Sequence, residues 1–317
     1  MSELSLLGQP ARFQAGLSDL GDGLYAWLQP NGGLGESNAG LVVGEGESLL
    51  VDTLWDLRLT QRMLDAMAAP TAAAPIRRLV NTHGDPDHCW GNQLLSGAEI
   101  ISTPATAEDV SGDDPRRLRL LALVGRLLPA GLAAFSRLLR PYDFSGIHVT
   151  PPTKTFQGLL EVDVGKRRIE LIEVGPAHTP GDLIVYVPDA GVVFAGDLMF
   201  VGVTPIMWVG PVENWLAGLD RMIELSPRIV VPGHGPVTDL AGVRAMRRYW
   251  EFVVPAVREG RSAAEILRSL PAEFAAWDNP ERIAVSAAII ERGAGPRVSE
   301  RVRMRLLSQM GELARAG

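Results

Sequence analysis

One cysteine, Cys89, is present in a chain of 317 residues. An intrachain disulfide is therefore excluded, and nothing in the sequence asks for an oxidising compartment. Lysine is almost missing: Lys154 and Lys166 are the only ones, so arginine carries the positive charge. The net charge is −7, which argues against nucleic acid, a partner that selects a basic face. The opening MSELSLLGQPARFQAG has neither the basic start nor the apolar run of an export signal. The most apolar stretch, Leu118 to Leu139, is interrupted by Arg119, Arg126, Pro129 and Arg137 and makes a poor membrane span. No GxSxG motif is present, so no serine-nucleophile elbow is expected. These absences predict a cytoplasmic protein without a membrane or nucleic-acid partner.

What is present is a normal globular composition, 46% hydrophobic and 21% charged, enough to build a sizeable core at this length. Up to about residue 240 short β-type runs alternate with helical patterns. Leu24–Leu28, Gly40–Val43, Ser48–Asp52, Ile76–Asn81 and Ile100–Ser102 read as strands, as do Leu159–Val164, Arg168–Val174, Leu183–Val187, Val192–Ala195 and Ile229–Val231. Leu57–Ala69 and Glu213–Leu225 have helical spacing. Asp113-Asp114-Pro115 starts a helix that runs through Arg116–Leu139 with a break at Pro129. Beyond Leu240 the chain reads as helical, with Ala263–Leu270 and Arg297–Leu313 clearest. The expectation is a layered α/β catalytic domain over 1–240 and a helical C-terminal extension over 241–317 packed on it.

Chemistry concentrates in Thr82-His83-Gly84-Asp85-Pro86-Asp87-His88. Four candidate metal ligands fall within six residues, and imidazole and carboxylate suit zinc, iron and manganese. Gly84 and Pro86 predict a loop, which lets neighbouring side chains aim at two centres. A polar surface loop with incidental histidines is the plainer alternative, and the histidine census weighs against it. Of five histidines, four lie in short loops after apolar runs: His83 and His88 in NTHGDPDH, His178 in GPAHTPGD and His234 in VPGHGPV. His148 lacks such a setting and reads as a surface or structural residue. Phe194-Ala195-Gly196-Asp197-Leu198 repeats the strand-to-loop pattern with a carboxylate. Cys89 has no evident base beside it and reads as packing.

Taken together, these motifs resemble the metallo-β-lactamase fold superfamily over roughly residues 20–240. That resemblance implies a four-layer αββα sandwich, with a helical insertion and the C-terminal extension added. It implies a dinuclear site in which His83, Asp85 and His178 hold one ion, Asp87, His88 and His234 hold the other, and Asp197 bridges. Asp52, in the AGLVVGEGESLLVDT segment, is then a supporting carboxylate and not a ligand. The family usually has histidine where this chain has Asp85. Two divalent ions are expected, zinc first, with iron or manganese admitted by the harder oxygen of Asp85. The implied reaction is hydrolysis by a metal-bound hydroxide, with Asp87 as the catalytic residue handling the proton.

The apolar insertion 116–139 reads either as ordinary helix packing or as an apolar lid over the site, and Met207 and Trp208 either line the pocket or, for Trp208, join the core. No basic cluster lies near the motifs in the sequence, which disfavours a phosphate-rich substrate. A small apolar ester, thioester or lactone remains, with a carrier-protein-bound acyl group within that class. NTHGDPDHCWGNQ and the tail bearing WDNPER also look similar to the cyclases and thioesterases of aromatic polyketide pathways. A diiron oxidoreductase of the same fold and a non-catalytic metal-binding relative are the rivals. The helical tail could form a pocket wall or a homodimer interface.

Overall fold

Burial on both faces of the central strands decides the architecture of this computed structural model, which describes residues 5–6, 8–112, 114–293 and 298–316. Asp113 and Arg297, both included in expected helices, lie outside the described residues. The first sheet runs, in spatial order, β1 (Gly16–Gly21), β2 (Leu24–Leu28), β3 (Ala39–Val43), β4 (Ser48–Val51), β5 (Ile76–Val80), β6 (Glu99–Ser102) and β7 (Lys154–Thr155). The second contains β8 (Leu159–Val164), β9 (Arg167–Glu173), β10 (Leu183–Val187), β11 (Val192–Phe194) and β12 (Ile229–Val231), lying in the order β12-β11-β10-β9-β8. The helices are α1 (Leu57–Ala66), α2 (Ala68–Thr71), α3 (Pro86–Cys89), α4 (Pro104–Gly112), α5 (Pro115–Val124), α6 (Ala130–Leu139), α7 (Val212–Leu225), α8 (Leu240–Arg258), α9 (Ala263–Ser269), α10 (Ala272–Ala275), α11 (Ile283–Arg292) and α12 (Glu300–Ala316).

Successive strand residues point to opposite faces, and here both faces are apolar. Val42, Leu49, Val51, Val80 and Ile101 of the first sheet meet Leu183, Val185, Val192 and Phe194 of the second in one core. Their neighbours Leu41, Leu50, Leu79 and Ile100, with Ile184 and Val193, turn outward and join the helices in a second core. Strands with two buried faces must be covered on both sides. The parallel pairs β4–β5 and β11–β12 are each linked through a helix, α1 and α7, which supplies that cover. The result is the helix–sheet–sheet–helix sandwich expected from the sequence.

The tail packs close to the catalytic end. Trp215 of α7 meets Trp250 of α8 with ring centroids 4.9 Å apart, and both are fully buried. Truncating either to alanine would cost about 3–5 kcal/mol. Helix α12 lies on α6 of the insertion. Gly131 and Gly311 permit that contact: a Cβ on Gly311 would sit 2.2 Å from the Gly131 carbonyl oxygen.

Several elements depart from expectation. Pro86–Cys89 is one helical turn, not irregular loop, because Pro86 occupies its first position with φ already set and Asp85 caps it with extended backbone. Helix α4 and strands β1 and β7 carry too weak a periodic pattern to be read from sequence. The expected break at Pro129 is real, and Asp114 caps α5 by accepting from the Arg116 amide. Among the described residues no helix is long and apolar enough to cross a membrane.

Candidate metal centre

The loops that follow β4, β5, β11 and β12, and the loop between β9 and β10, meet at one end of the sandwich. They bring His83, Asp85, Asp87, His88, His178, Asp197 and His234 together from positions up to 151 residues apart. Asp197 is central. Its Oδ2 lies 3.4 Å from His178 Nε2, 3.3 Å from His234 Nε2 and 3.9 Å from His83 Nε2, while its Oδ1 lies 3.2 Å from His88 Nε2. Asp87 Oδ2 is 3.5 Å from His234 Nε2 and 3.9 Å from His88 Nε2. Two donor groups result, His83–His178–Asp197 and Asp87–His88–His234.

Which nitrogen each imidazole presents follows from its other neighbour. His178 Nδ1 donates to the Ile206 carbonyl oxygen at 2.7 Å, a partner that can only accept. His88 Nδ1 lies 3.0 Å from Asp52 Oδ2. Thr82 donates its hydroxyl to the same Asp52 oxygen at 2.7 Å, so its lone pair is free to accept from His83 Nδ1 at 2.9 Å. Each contact engages Nδ1 and turns Nε2 inward, the nitrogen that a metal would take in exchange for any proton it carries. Asp52 also accepts from the Thr82 amide at 2.7 Å. Although it lies near His83 and His88, its oxygens are occupied by donors, which suits a supporting role.

Asp85 stands slightly apart. Its Oδ2 is 3.2 Å from His178 Nε2 and accepts from Trp208 Nε1 at 3.1 Å, and it falls in neither compact donor group. Trp208, expected near the pocket, lines it; Met207 is fully buried and belongs to the core. His148 is exposed and outside the cluster. Cys89 is buried and donates to the His83 carbonyl oxygen at 3.0 Å, so it steadies the first ligand loop.

Charge in the site is tightly balanced. Burial pushes the His83 imidazole well below its ordinary value. Burial also opposes charge on His88 and His178, but neighbouring carboxylates override it. Asp197 and Asp87 hold His88 well above its usual range, and Asp85 with Asp197 raises His178 to about 9. Burial raises Asp87. On Asp197 burial acts the same way, yet the surrounding histidines hold its carboxyl well below the normal range. Four buried imidazoles thus stand around three carboxylates in one charge network. His83 Nε2, His88 Nε2 and Asp197 Oδ1 are buried without a hydrogen-bond partner. Buried polar atoms are rarely orphaned, and this donor set fits divalent cations.

A cavity of about 330 Å³ opens onto the cluster. Leu118, Leu121 and Phe135 of the insertion and Met304, Leu307 and Met310 of α12 line it, beside Asp85, Asp87, Asp197 and His234. The same cavity holds Arg117, Arg282 and Arg303. The fold thus brings positive charge to the cavity although no basic cluster lies near the motifs in the sequence. These arginines come from separate distant segments, and no linear motif announces them.

Comparison with known proteins agrees with this geometry. The model of the metallo-beta-lactamase superfamily matches residues 32–234. The chain is 24% identical over 201 residues to 2,4-dinitroanisole O-demethylase subunit alpha of Nocardioides sp. (strain JS1661), covering 61% of this chain and 51% of that one. It is 27% identical over 233 residues to acyl-coenzyme A thioesterase MBLAC2 of Bos taurus, covering 68% and 79%. Thus the chain spans about half the length of the first relative. A metallo-beta-lactamase family protein from Thermus thermophilus superposes with a TM-score of 0.61 at 21% identity, covering 89% of this chain and 97% of that one. The fold and the His/Asp clusters together suggest a binuclear metal site. With most of its length matched by one family model and its fold shared with a solved member, the chain belongs to the metallo-beta-lactamase superfamily of metal-dependent hydrolases.

Proposed function

We propose that the protein hydrolyses an ester or thioester of a largely apolar acyl group at a two-metal site. The carrying observation is the convergence of four inward imidazole nitrogens on Asp197 at the floor of an apolar cavity. His83 and His178 would hold one ion with Asp85 as the outlying ligand. Asp87, His88 and His234 would hold the other, with Asp197 between them. Two divalent cations bound there supply a water of lowered pKa and polarise a carbonyl oxygen.

The chain's own residues do the rest. Asp52, Thr82 and the Ile206 carbonyl hold imidazoles in the binding orientation. Asp87 Oδ2, at the cavity wall, takes the proton of the attacking water and returns it to the leaving group. Its carboxylate lines the cavity beside the cluster, where such a water would lie. The insertion and α12 exclude water and give the acyl chain an apolar bed. The similarity to an acyl-coenzyme A thioesterase supports a thioester. A carrier-bound polyketide thioester is one member of that class.

The test is metal quantification of the purified protein alongside a panel of acyl thioesters, aryl esters and lactones. Hydrolysis that disappears with chelation and returns with zinc, iron or manganese is expected. An iron-coloured protein that consumes oxygen and cleaves nothing on the panel would favour the diiron reading instead.

A further inference from the structure

Arg282 follows Pro280-Glu281 at the start of α11 and is 3% exposed. Its one hydrogen-bond partner among the described residues is the Thr204 carbonyl oxygen, 3.3 Å from Nη1. No carboxylate oxygen of a described residue lies within ion-pair distance. Its guanidinium carbon sits 5.7 Å from the centre of the Phe200 ring, and that ring stacks on His234 at 5.1 Å. The side chain lines the cavity.

A guanidinium has five N–H donors. Burying one with a single backbone partner is unfavourable, because a charge withdrawn from water needs a counter-charge. The face of Phe200 supplies only about 0.5–2 kcal/mol. Asp87 and Asp197 lie beyond contact, and two divalent cations would more than neutralise them together with Asp85. Glu281 and Asp278 act on Arg282 only at a distance, so no anion of a described residue is in contact with the guanidinium. Burial disfavours its charge, consistent with a site that awaits a counter-ion. With Nη1 committed to Thr204, the Nε and Nη2 edge offers two parallel donors, the fork that matches a carboxylate. Arg303 brings a second guanidinium to the cavity, over the Trp208 ring at 4.8 Å.

Resting on the acyl-hydrolase reading above, we propose that the substrate's acyl group carries a carboxylate at its far end and that Arg282 binds it. The substrate is then a mono-thioester or mono-ester of a dicarboxylic acid. The scissile carbonyl lies at the metal cluster, and the free carboxylate lies at Arg282, in the same cavity and beside Phe200.

The test compares two N-acetylcysteamine thioesters, hexanoyl and adipoyl, which differ by a terminal methyl against a carboxylate. Wild type should favour adipoyl in kcat/KM by about tenfold or more. Arg282→Gln should bring that ratio close to one, and Arg282→Lys, which keeps the charge but loses the fork, should fall between. Calorimetric titration with 4-phenylbutyrate reads anion capture without turnover. Its affinity should fall at least about tenfold in Arg282→Gln, with circular dichroism verifying the fold of each variant. A wild type with no preference, or phenylbutyrate affinity unchanged by Arg282→Gln, overturns the proposal. Cleavage of both thioesters at equal rates would sink the carboxylate site and leave the hydrolase reading intact. Arg282-dependent phenylbutyrate binding without cleavage of either would do the reverse.

Discussion

Asp52 Oδ2 lies 3.0 Å from His88 Nδ1, and this contact determines which nitrogen of that imidazole faces the cluster. Asp52 is itself held in left-handed backbone, with φ of 62°, and accepts twice from Thr82. A non-glycine residue in that region costs free energy that the surroundings must offset. Here it places one carboxylate beneath both His83 and His88.

Asp52→Asn tests that arrangement with little risk to the fold, since asparagine tolerates left-handed backbone. Metal affinity should fall by about 10–100-fold while the circular dichroism spectrum is retained. Chelator competition measures it. Unchanged affinity would mean that His88 needs no anchor.

Asp197 touches all four cluster histidines, so Asp197→Ala should abolish hydrolysis and reduce the metal bound per chain. Asp85→His should retain metal, because imidazole is an equally competent ligand. Full turnover in the alanine variant would remove Asp197 from its bridging role.

Gly233 precedes His234 and lets the β12 loop pass against Asp197: a Cβ there would lie 1.9 Å from Asp197 Oδ1. Gly233→Ala should therefore displace the carboxylate and cost most of the activity and metal. A metal content equal to wild type would show that the loop moves aside freely.

Metal uptake should depend on pH with a definite sign. In the metal-free protein Asp85 and Asp197 keep His178 protonated up to about 9. Divalent ions must displace that proton and the one that the carboxylates hold on His88, so affinity rises with pH through neutrality and beyond. Calorimetry in buffers of different ionisation enthalpy should show proton release on binding at pH 7. Affinity that is flat from pH 6 to 9 would contradict the assignment.

Trp208→Phe removes the indole donor to Asp85 but keeps a ring beneath Arg303. A hydrogen bond to a charged acceptor contributes about 1.5–3 kcal/mol. The variant should bind the first ion at least about tenfold more weakly, and stepwise metal titration detects it. Two unchanged binding steps would make the contact incidental.

The ligand loops were legible because their chemistry is local. A strand's apolar run gives way to a short loop in which a histidine or aspartate lies near glycine or proline, as at His83, His178, Asp197 and His234. The two buried faces of β4 and β11 also show directly, as the apolar runs Leu49-Leu50-Val51 and Val192–Phe194. Helix α3 was hidden because four residues are too few for a periodic signal, and Pro86 reads equally as a loop residue.

By itself the sequence determined the layered α/β class, the loops from which the polar side chains of the cluster come and the helical nature of the tail. Each depends on neighbours close along the chain. Only the tertiary structure decided that α12 closes the cavity, that Trp208 rather than Met207 reaches Asp85, and that Arg117, Arg282 and Arg303 share one pocket. Those relationships join segments far apart in sequence through packing, and packing leaves no periodic trace in the order of the residues.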